Sequence, residues 1–274
     1  MNGGERMDKV LNQAGPIGVL NQHFTADQRL LSFAHTNALL SRPAGLPAVF
    51  VHYWTLARTV ILGMQDLRLP QLPAALKTLQ AAGYPFFVRN SGGLGIVCDD
   101  QVLNVSLFLP PDAATIPEAY QLMADWLTTA VGAPLTVGEV PHSYCPGTFD
   151  LSLGGQKIAG LAQRRTSRGI VVMAYLAVGG DQAARGQVMA DFYQAGDGQA
   201  DPRHRFPQVR PATMGTLNAH LAAPLTAQGL SAKLTAALTT KPVSLTPVLA
   251  TSAYQSALTA ALTDMQARNQ FEGE

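Results

Sequence analysis

Short runs of apolar residues, separated by polar turns, recur through the first half of the chain. Five of these runs are rich in the β-branched and aromatic residues that favour strands. They occupy residues 48–54, 58–63, 84–90, 95–100 and 101–110. In the last run Asn104 and Ser106 alternate with apolar neighbours, which is the pattern of a half-buried strand. The first half of the chain is therefore predicted to form most of a sheet.

Three other segments carry apolar residues at helical spacing. Residues 25–41 predict a helix that starts at Thr25, because Gln28 three positions later completes a capping-box pattern. Residues 72–83 predict a second helix, which ends at a glycine, a common helix terminator. A third helix is predicted over residues 116–132. The chain thus mixes helices with strands instead of separating them.

The stretch DLSLGGQKIAGL, residues 150–161, predicts a β-hairpin with Gly154 and Gly155 as a two-residue turn. Side chains alternate between the two faces of a strand, so Lys157 is expected to share a face with Ser152 and Asp150. The expected cross-strand pairs are Leu153–Gln156, Ser152–Lys157 and Asp150–Ala159.

The fold class follows from the order of these elements. Residues 169–180 contain a fully apolar run that predicts a central strand, and the pattern from residue 181 onward is mostly helical. We predict an α+β fold with a mostly antiparallel or mixed sheet flanked by helices. Residues 25–180 are expected to form the core domain. Residues 181–274 are expected to form a helical segment packed on it, giving a single domain overall.

The composition of the chain limits which partners, locations and metal sites we expect. Only 14% of the residues are charged and the net charge is +1, which gives no electrostatic reason to expect nucleic acid or an anionic membrane as a partner. The longest apolar run, residues 170–178, is too short to cross a bilayer, which needs about 20 helical residues. The first residues lack the features of a signal peptide. Two cysteines are too few for a zinc site. We expect a cytoplasmic protein without a metal.

The glycine-rich stretch VRNSGGLGIVCDD, residues 88–100, does not match a phosphate-binding loop. It lacks a Gly-Lys-Ser/Thr ending, and a predicted strand follows it where such loops have a helix. Two interpretations remain open from spacing alone. The stretch is either a hairpin turn between two strands or a place where backbone comes close to a ligand, since Gly92 and Gly93 lack side chains.

Cys145 stands out because SYCPGT is a turn signal, and a thiol on a turn is accessible. A neighbouring ammonium such as Lys157 would favour its thiolate form. The alternative is an inert, partly buried cysteine, which is the commoner situation for a free thiol. Cys98, the second cysteine, lies within a predicted strand and is expected to be a core residue.

The glycine-rich stretch and its neighbours resemble the biotin/lipoate protein ligase and lipoyl transferase superfamily. Ligases of that superfamily carry Arg-Arg-x-Ser-Gly-Gly-Gly, then His-Asp, then Leu-Asn-x-Ser. Here the second Arg is Asn90, the third Gly is Leu94 and the His is Cys98. These departures, together with SYCPGTFDLS, GQKIAGLAQRR and VILGMQD, resemble one branch more closely. Its members transfer octanoyl groups from the octanoylated glycine-cleavage H protein to other lipoyl domains.

The resemblance implies a biotin/lipoate protein ligase catalytic fold and a role for each motif residue. It implies that Cys145 carries the acyl group as a thioester. It also implies that Lys157 lowers the pKa of that thiol and contacts the acyl carbonyl. The substrate-binding residues that it implies are Arg89, Asn90, Ser91, Gly92, Gly93, Asn104, Gly147 and Gly160.

The expected reaction is acyl transfer without a cofactor, because one amide is exchanged for another and neither ATP nor a metal is required. The expected donor is octanoylated H protein. The expected acceptors are lipoyl domains of 2-oxoacid dehydrogenase acyltransferase subunits, and the transferred group is octanoyl or lipoyl. Three alternatives stay open from sequence. They are transfer from an octanoyl acyl carrier protein, ATP-dependent lipoate ligation, and binding of lipoyl domains without chemistry.

Overall fold

The structure, a computed structural model, describes residue 11 and residues 15–200, 206–238 and 240–270. Its strands are β1 (Ile17–Phe24), β2 (Phe50–Leu56), β3 (Thr59–Leu62), β4 (Phe86–Val88), β5 (Ile96–Cys98), β6 (Val102–Leu109), β7 (Thr136–Val137), β8 (Leu151–Leu153), β9 (Gln156–Thr166), β10 (Gly169–Ala177) and β11 (Pro242–Ser244). Its α-helices are α1 (Arg29–Leu40), α2 (Leu72–Ala81), α3 (Ile116–Val131), α4 (Gln182–Ala195), α5 (Ala227–Ala236), α6 (Thr246–Leu249) and α7 (Ser252–Arg268).

The main sheet has eight strands in the order β11-β1-β2-β6-β10-β9-β8-β7. β1 runs parallel to both of its neighbours, and the other neighbouring pairs are antiparallel. A second sheet of three strands has the order β4-β3-β5. The predicted α+β fold with a mixed, mostly antiparallel sheet is therefore confirmed.

Helices cover both faces of the main sheet. Alternate residues of β10 enter different buried clusters: Val171 belongs to one and Val172 to the other. The first cluster also contains residues of α1, α4, α7 and the small sheet, whereas the second contains residues of α3 and α5. The fully apolar central strand that the sequence predicts is thus explained, because β10 is buried on both faces.

Three strands were not predicted, β1, β7 and β11. β1 and β11 pair with each other in parallel, so residues more than 200 positions apart form one edge of the sheet. β11 lies in the segment predicted to be helical, and α7 from the same segment packs on α1. The boundary placed at residue 180 stays a prediction. Among the described residues, no helix is both long and apolar enough to cross a membrane.

The first predicted helix start is wrong. The helix begins at Arg29, and Gln28 takes the N-cap position without a side-chain hydrogen bond. Thr25 and Gln28 do interact, since the Thr25 N–H donates to the Gln28 side-chain oxygen at 3.3 Å, but this contact closes a turn before the helix. The capping-box pattern therefore marks a real hydrogen bond between Thr25 and Gln28, but the helix does not start at Thr25.

The predicted hairpin is confirmed, with one correction. Gly154 and Gly155 have φ values of +58° and +80°, the left-handed values that a tight two-residue turn requires. The pairs Leu153–Gln156 and Ser152–Lys157 form as predicted. The pair Asp150–Ala159 does not, because an irregularity between Leu151 and Ser152 shifts the register and places Leu151 opposite Ala159.

The hairpin interpretation of the glycine-rich stretch is wrong. β4 and β5 do not pair with each other but lie on opposite sides of β3, parallel and antiparallel to it respectively. Residues 89–95 must therefore cross the end of β3 instead of turning back on themselves. This crossing places the loop backbone at one end of the small sheet.

Candidate active site

Cys145 lies in the irregular segment between β7 and β8 and is half-buried. Its φ of +47° falls in the left-handed region, which residues with side chains rarely adopt. The Asp150 carboxylate holds this segment together by accepting hydrogen bonds from the Gly147 N–H at 3.1 Å and the Val140 N–H at 3.4 Å. The predicted turn at Cys145 is thus a segment fixed by a buried carboxylate.

Lys157 projects from β9 into the same segment, with a side chain only 1% exposed. Its Nζ lies 3.0 Å from Asp150 Oδ1 and donates to the carbonyl oxygens of Tyr144 at 3.0 Å and Cys145 at 2.7 Å. Burial raises the pKa of Asp150, and the positive charge of Lys157 opposes that rise. Lys157 therefore binds the carbonyl groups on both sides of the Cys145 α-carbon.

The glycine-rich loop, residues 89–95, covers the thiol from the other side. The Leu94 N–H donates to Cys145 Sγ at 3.4 Å, and Arg89 Nη2 lies 4.0 Å from the same sulfur. Arg89 is 5% exposed and is held by hydrogen bonds to the carbonyl oxygens of Gly92 and Leu94. The Cys145 thiol therefore lies next to the Leu94 N–H and the Arg89 guanidinium.

A buried carboxylate supports this loop from beneath. Asp66, at the end of the VILGMQD motif, accepts hydrogen bonds from the Gly63 N–H at 2.7 Å and the Tyr193 hydroxyl at 2.9 Å. The Gly95 N–H in turn donates to the Tyr193 hydroxyl at 3.2 Å. Burial raises the pKa of Asp66 to about 6. The motif therefore ties the end of β3 to the loop that covers the thiol.

A small apolar cavity of about 50 Å³, called the tunnel below, lies between the main sheet and α1, and Cys145 forms part of its lining. Leu161, Ala162, Met173 and Ala174 lie along it, and Phe33 and Trp54 form part of its wall. The other lining residues are Arg89, Ser91, Ile96, Asn104, Val105, Ser106, Gly160 and Tyr175. The hydroxyl of Ser91 is buried without a hydrogen-bond partner among the described residues, so the tunnel keeps a polar group ready for a ligand.

A larger groove of about 1250 Å³ opens elsewhere, between the first two strands and α5. Its lining contains His23, Asp100 and Lys241 but neither cysteine. The tunnel joins apolar lining residues to a cysteine thiol, so we take the tunnel and the segment around Cys145 as the site.

A model of the lipoyl protein ligase A/B catalytic domain matches residues 29–239. The chain belongs to the lipoyl protein ligase A/B family. It is 38% identical over 230 residues to the octanoyl-[GcvH]:protein N-octanoyltransferase of Geobacillus kaustophilus, covering 81% of this chain and 78% of that protein. It is 37% identical over 223 residues to the lipoyl-[GcvH]:protein N-lipoyltransferase of Listeria monocytogenes, covering 78% of each. The predicted superfamily and branch are confirmed.

Solved structures of lipoate protein ligases share the fold. A lipoate-protein ligase A bound with ATP superposes with a TM-score of 0.67 at 15% identity, covering 91% of this chain and 94% of that one. A putative lipoate protein ligase from T. acidophilum with bound lipoic acid gives a TM-score of 0.66 at 15% identity, covering 91% and 95%. The predicted biotin/lipoate protein ligase fold is therefore confirmed.

Within this lipoyl protein ligase A/B fold, the predicted substrate-binding residues divide into two groups. Arg89, Ser91, Asn104 and Gly160 line the tunnel, as does the predicted nucleophile Cys145. The others lie beside it. Asn90 bonds Asn37 at 2.9 Å, the Gly92 carbonyl accepts from Arg89, the Gly93 backbone adjoins Arg89 and Cys145, and the Gly147 N–H bonds Asp150. The geometry brings the set together; its binding role stays a prediction.

Cys98 has the properties predicted for a core residue. It is fully buried, and burial raises the pKa of its thiol to about 12. Its sulfur lies 3.7 Å from the Asn104 amide nitrogen, so this position of the family motif forms a packing contact behind the tunnel wall. Cys145 is thus the accessible thiol.

Sequence reasoning missed three features of the site. The Leu94 N–H cannot be read from residue type, since every residue except proline carries one. The contact between Asp66 and Tyr193 joins residues 127 positions apart. Asp150 was placed on the face of Lys157 but was not recognised as its ion-pair partner.

Among the described residues, no cluster of three or more His, Cys, Asp or Glu side chains is arranged to hold a metal ion.

Proposed function

We propose that this protein is an acyltransferase that moves an octanoyl group from the lysine of octanoylated H protein to the lysine of another lipoyl domain. The observation that carries the proposal is the position of Cys145, in the lining of the apolar tunnel and with its Sγ against the glycine-rich loop. The two relatives named above, whose names state transfer from GcvH, support the choice of donor. Lipoyl domains of 2-oxoacid dehydrogenase acyltransferase subunits are the proposed acceptors.

The reaction proceeds in two balanced steps. The Cys145 sulfur attacks the carbonyl carbon of the octanoyl-lysine amide, a C–S bond forms, and the C–N bond breaks. The lysine of the donor leaves as an amine and takes up the proton that the thiol has lost. The amine of the acceptor lysine then attacks the thioester, so that a new amide forms and the thiol is regenerated. No ATP enters either step, because an amide is exchanged for an amide.

The tunnel is lined mostly by apolar side chains, so an aliphatic tail is the ligand that we expect there. Each methylene group that it removes from water contributes about 0.8 kcal/mol. The unpartnered Ser91 hydroxyl and the Asn104 amide provide polar groups for the acyl-amide end. One of the relatives is named a lipoyltransferase, and this supports the proposal that the tunnel also accepts a lipoyl group.

Lys157 has a proposed role in this chemistry through Cys145. Its contacts with the carbonyl oxygens of Tyr144 and Cys145 hold the backbone of Cys145 in its left-handed conformation. We propose that it assists formation of the reactive thiolate and contact with the acyl carbonyl, either directly or by this positioning.

The test is transfer of octanoyl from octanoylated H protein to an apo lipoyl domain, without ATP and followed by mass spectrometry of the acceptor. We expect octanoylated acceptor with the native chain and none with Cys145→Ala. Replacing the donor by octanoyl acyl carrier protein distinguishes the second candidate function. Acceptor modified only in the presence of ATP and free lipoate, and equally by Cys145→Ala, would contradict the proposal and favour a ligase.

A further inference from the structure

We propose that a network of three side chains positions Tyr144, and through Tyr144 the neighbouring Cys145, for acyl transfer. The network consists of Asp99, Arg185 and Gln182. These are positioning residues, because none of the three is in the tunnel lining. The inference rests on the proposed function, since it concerns the reaction assigned to Cys145 there. It also gives a role to the aspartate of the His-Asp motif, which that reaction does not use.

Arg185, on α4, is the centre of the network and is 1% exposed. Its Nε and Nη2 donate to the two carboxylate oxygens of Asp99, at 2.8 and 2.7 Å. Its Nη1 donates to the side-chain oxygen of Gln182 at 3.0 Å. The amide nitrogen of Gln182 then donates to the Tyr144 hydroxyl at 2.9 Å. An ion pair beside the small sheet is thus connected to the residue that precedes the thiol.

The contacts of the network fix its arrangement. The Gln182 amide has its oxygen towards Arg185, and reversing it would set its N–H groups against those of the guanidinium. Gly180 has a φ of +81°, and a Cβ there would overlap Arg185 Nη2. The guanidinium therefore fits against bare backbone, and the amide that it orients presents a donor to the Tyr144 hydroxyl.

Tyr144 is fully buried and is held at both ends. Its backbone N–H donates to the Met214 sulfur at 3.4 Å, and its carbonyl oxygen accepts from Lys157 Nζ at 3.0 Å. Its hydroxyl accepts from Gln182 at the far end of the side chain. The ring therefore cannot move without breaking the contact with the network or shifting the backbone before Cys145.

The position of Tyr144 matters because Cys145 has a left-handed φ of +47°. Residues with side chains keep such a conformation where surrounding contacts impose it. In this conformation the Cys145 sulfur meets the Leu94 N–H at 3.4 Å. The Tyr144 ring also lies 5.9 Å, centroid to centroid, from the ring of Tyr175, which lines the tunnel. A shift of Tyr144 would thus displace the thiol and disturb the tunnel wall together.

The test measures how fast Cys145 is acylated by two donors, p-nitrophenyl octanoate and octanoylated H protein. With the ester, the sulfur bonds to the octanoyl carbon, the ester C–O bond breaks, and p-nitrophenolate leaves while the thiol proton passes to water. The absorbance of p-nitrophenolate gives the rate constant at saturating ester and, separately, the ester concentration that gives half that rate. Intact mass reports the thioester formed with either donor.

Two variants remove the contact with the network and nearly keep the side-chain volume, Tyr144→Phe and Gln182→Met. We expect each to lower the rate constant at saturation about tenfold, because a small misplacement of a nucleophile slows its attack strongly. The half-saturating concentration stays within about twofold of the native value. The double variant is no slower than the slower single variant, since both changes remove the same contact.

Arg185→Lys tests the next contact. Lysine keeps the charge but cannot reproduce the fork that holds Asp99 and Gln182 together, so we expect a loss of about fivefold in the rate constant. In the Tyr144→Phe background the same change alters the rate constant by less than about twofold, because its effect passes through the lost contact. Losses that multiply in this background would overturn the inference.

Tyr254→Phe is the matched control. It removes another buried tyrosine hydroxyl, which lies 2.7 Å from His35 Nδ1 and is not part of the network. We expect it to lower the free energy of unfolding in urea about as much as Tyr144→Phe, but to leave acylation within about twofold of the native rate. Equal losses of acylation in Tyr254→Phe and Tyr144→Phe would overturn the inference. Rates within twofold of native in both Tyr144→Phe and Gln182→Met would also overturn it.

Folding of each variant is checked by near-ultraviolet circular dichroism. Where Gln182→Met does not fold, Tyr144→Phe with and without Arg185→Lys decides the inference. Failure of the proposed function is distinguished by the second donor. A chain that shows the expected pattern with the ester, but is never acylated by octanoylated H protein, would retain the positioning network and lose the proposed reaction.

Discussion

At the scale of single residues, the site depends on how closely a backbone and a guanidinium approach one sulfur. Gly93, with φ of +91°, is the residue that makes this approach possible, because a Cβ would contact both Arg89 and Cys145. Lys157 and Asp150 act from the opposite side and fix the backbone of Cys145. Cys145 therefore lies between the glycine-rich loop on one side and the Lys157–Asp150 pair on the other.

Substitution of Gly93 tests this arrangement. Gly93→Ala forces a side chain into a left-handed conformation, which costs about 1 kcal/mol of stability. It also displaces Arg89 or the sulfur, so we expect octanoyl transfer to fall roughly tenfold or more. Gly138→Ala is the matched control, because Gly138 has an ordinary φ and open space around its Cβ position. Equal transfer rates for the two variants would contradict the close-approach argument.

The sequence identified the residues of the site better than their contacts. Cys145 and Lys157 follow from a turn signal, a hairpin and a family resemblance. The contacts of Cys145 with Arg89 and Leu94 span 56 and 51 positions, and nothing in local composition specifies them. Residue type and local conformation are encoded nearby, whereas the position of one loop over another depends on the whole fold.

At the scale of elements, the same four-residue signature has two outcomes. Thr115 and Glu118 form a capping box at the start of α3, where the Thr115 N–H donates to Glu118 at 2.8 Å. Thr25 and Gln28 make the matching backbone contact but close a turn that ends before α1. The signature thus predicts a local hydrogen bond, and the surrounding chain decides whether a helix follows.

This difference predicts unequal effects on stability. Thr115→Ala removes a helix cap and is expected to lower the free energy of unfolding by about 1 kcal/mol. Thr25→Ala is expected to change it by less than about 0.5 kcal/mol, because no helix terminus depends on that side chain. Urea denaturation measures both values. A larger loss for Thr25→Ala than for Thr115→Ala would contradict the assignment of the caps.

The hairpin of β8 and β9 was predicted because two adjacent glycines mark its turn. β1, β7 and β11 were missed; β7 and β11 have only two and three residues, and β1 pairs in parallel with strands that are distant in sequence. The strands that flank the glycine-rich stretch were predicted, but not that β3 lies between them. That arrangement depends on how the whole small sheet assembles, which local sequence does not specify.

At the scale of the whole molecule, the core behind the tunnel contains two buried histidines. His52 is fully buried with neither ring nitrogen bonded among the described residues, and His35 bonds the Tyr254 hydroxyl at 2.7 Å. The His35 ring packs near Phe24, and the His52 ring packs near Phe24 and Trp54, which lines the tunnel. Burial lowers the pKa of His35 to about 4, and burial lowers the pKa of His52 well below its ordinary value.

These histidines predict sensitivity to acid. The unfolded chain takes up protons below the ordinary pKa of 6.5 while His35 in the folded protein stays neutral to about 4. Stability is therefore complete above pH 6.5 and falls as the pH drops towards 4, by about 3 kcal/mol from His35. Urea denaturation at pH 7 and pH 5 measures the loss. His35→Gln, which cannot titrate, should show a smaller loss; an identical loss would assign the acid sensitivity to other groups.

The central claim, that Cys145 accepts an acyl group from a lysine amide, is tested most directly by intact mass. The protein is mixed with octanoylated H protein in the absence of ATP and of any acceptor. We predict a mass increase of one octanoyl group, labile to hydroxylamine and absent from Cys145→Ala. An unmodified native chain under these conditions, or an adduct that persists in Cys145→Ala, would contradict the account.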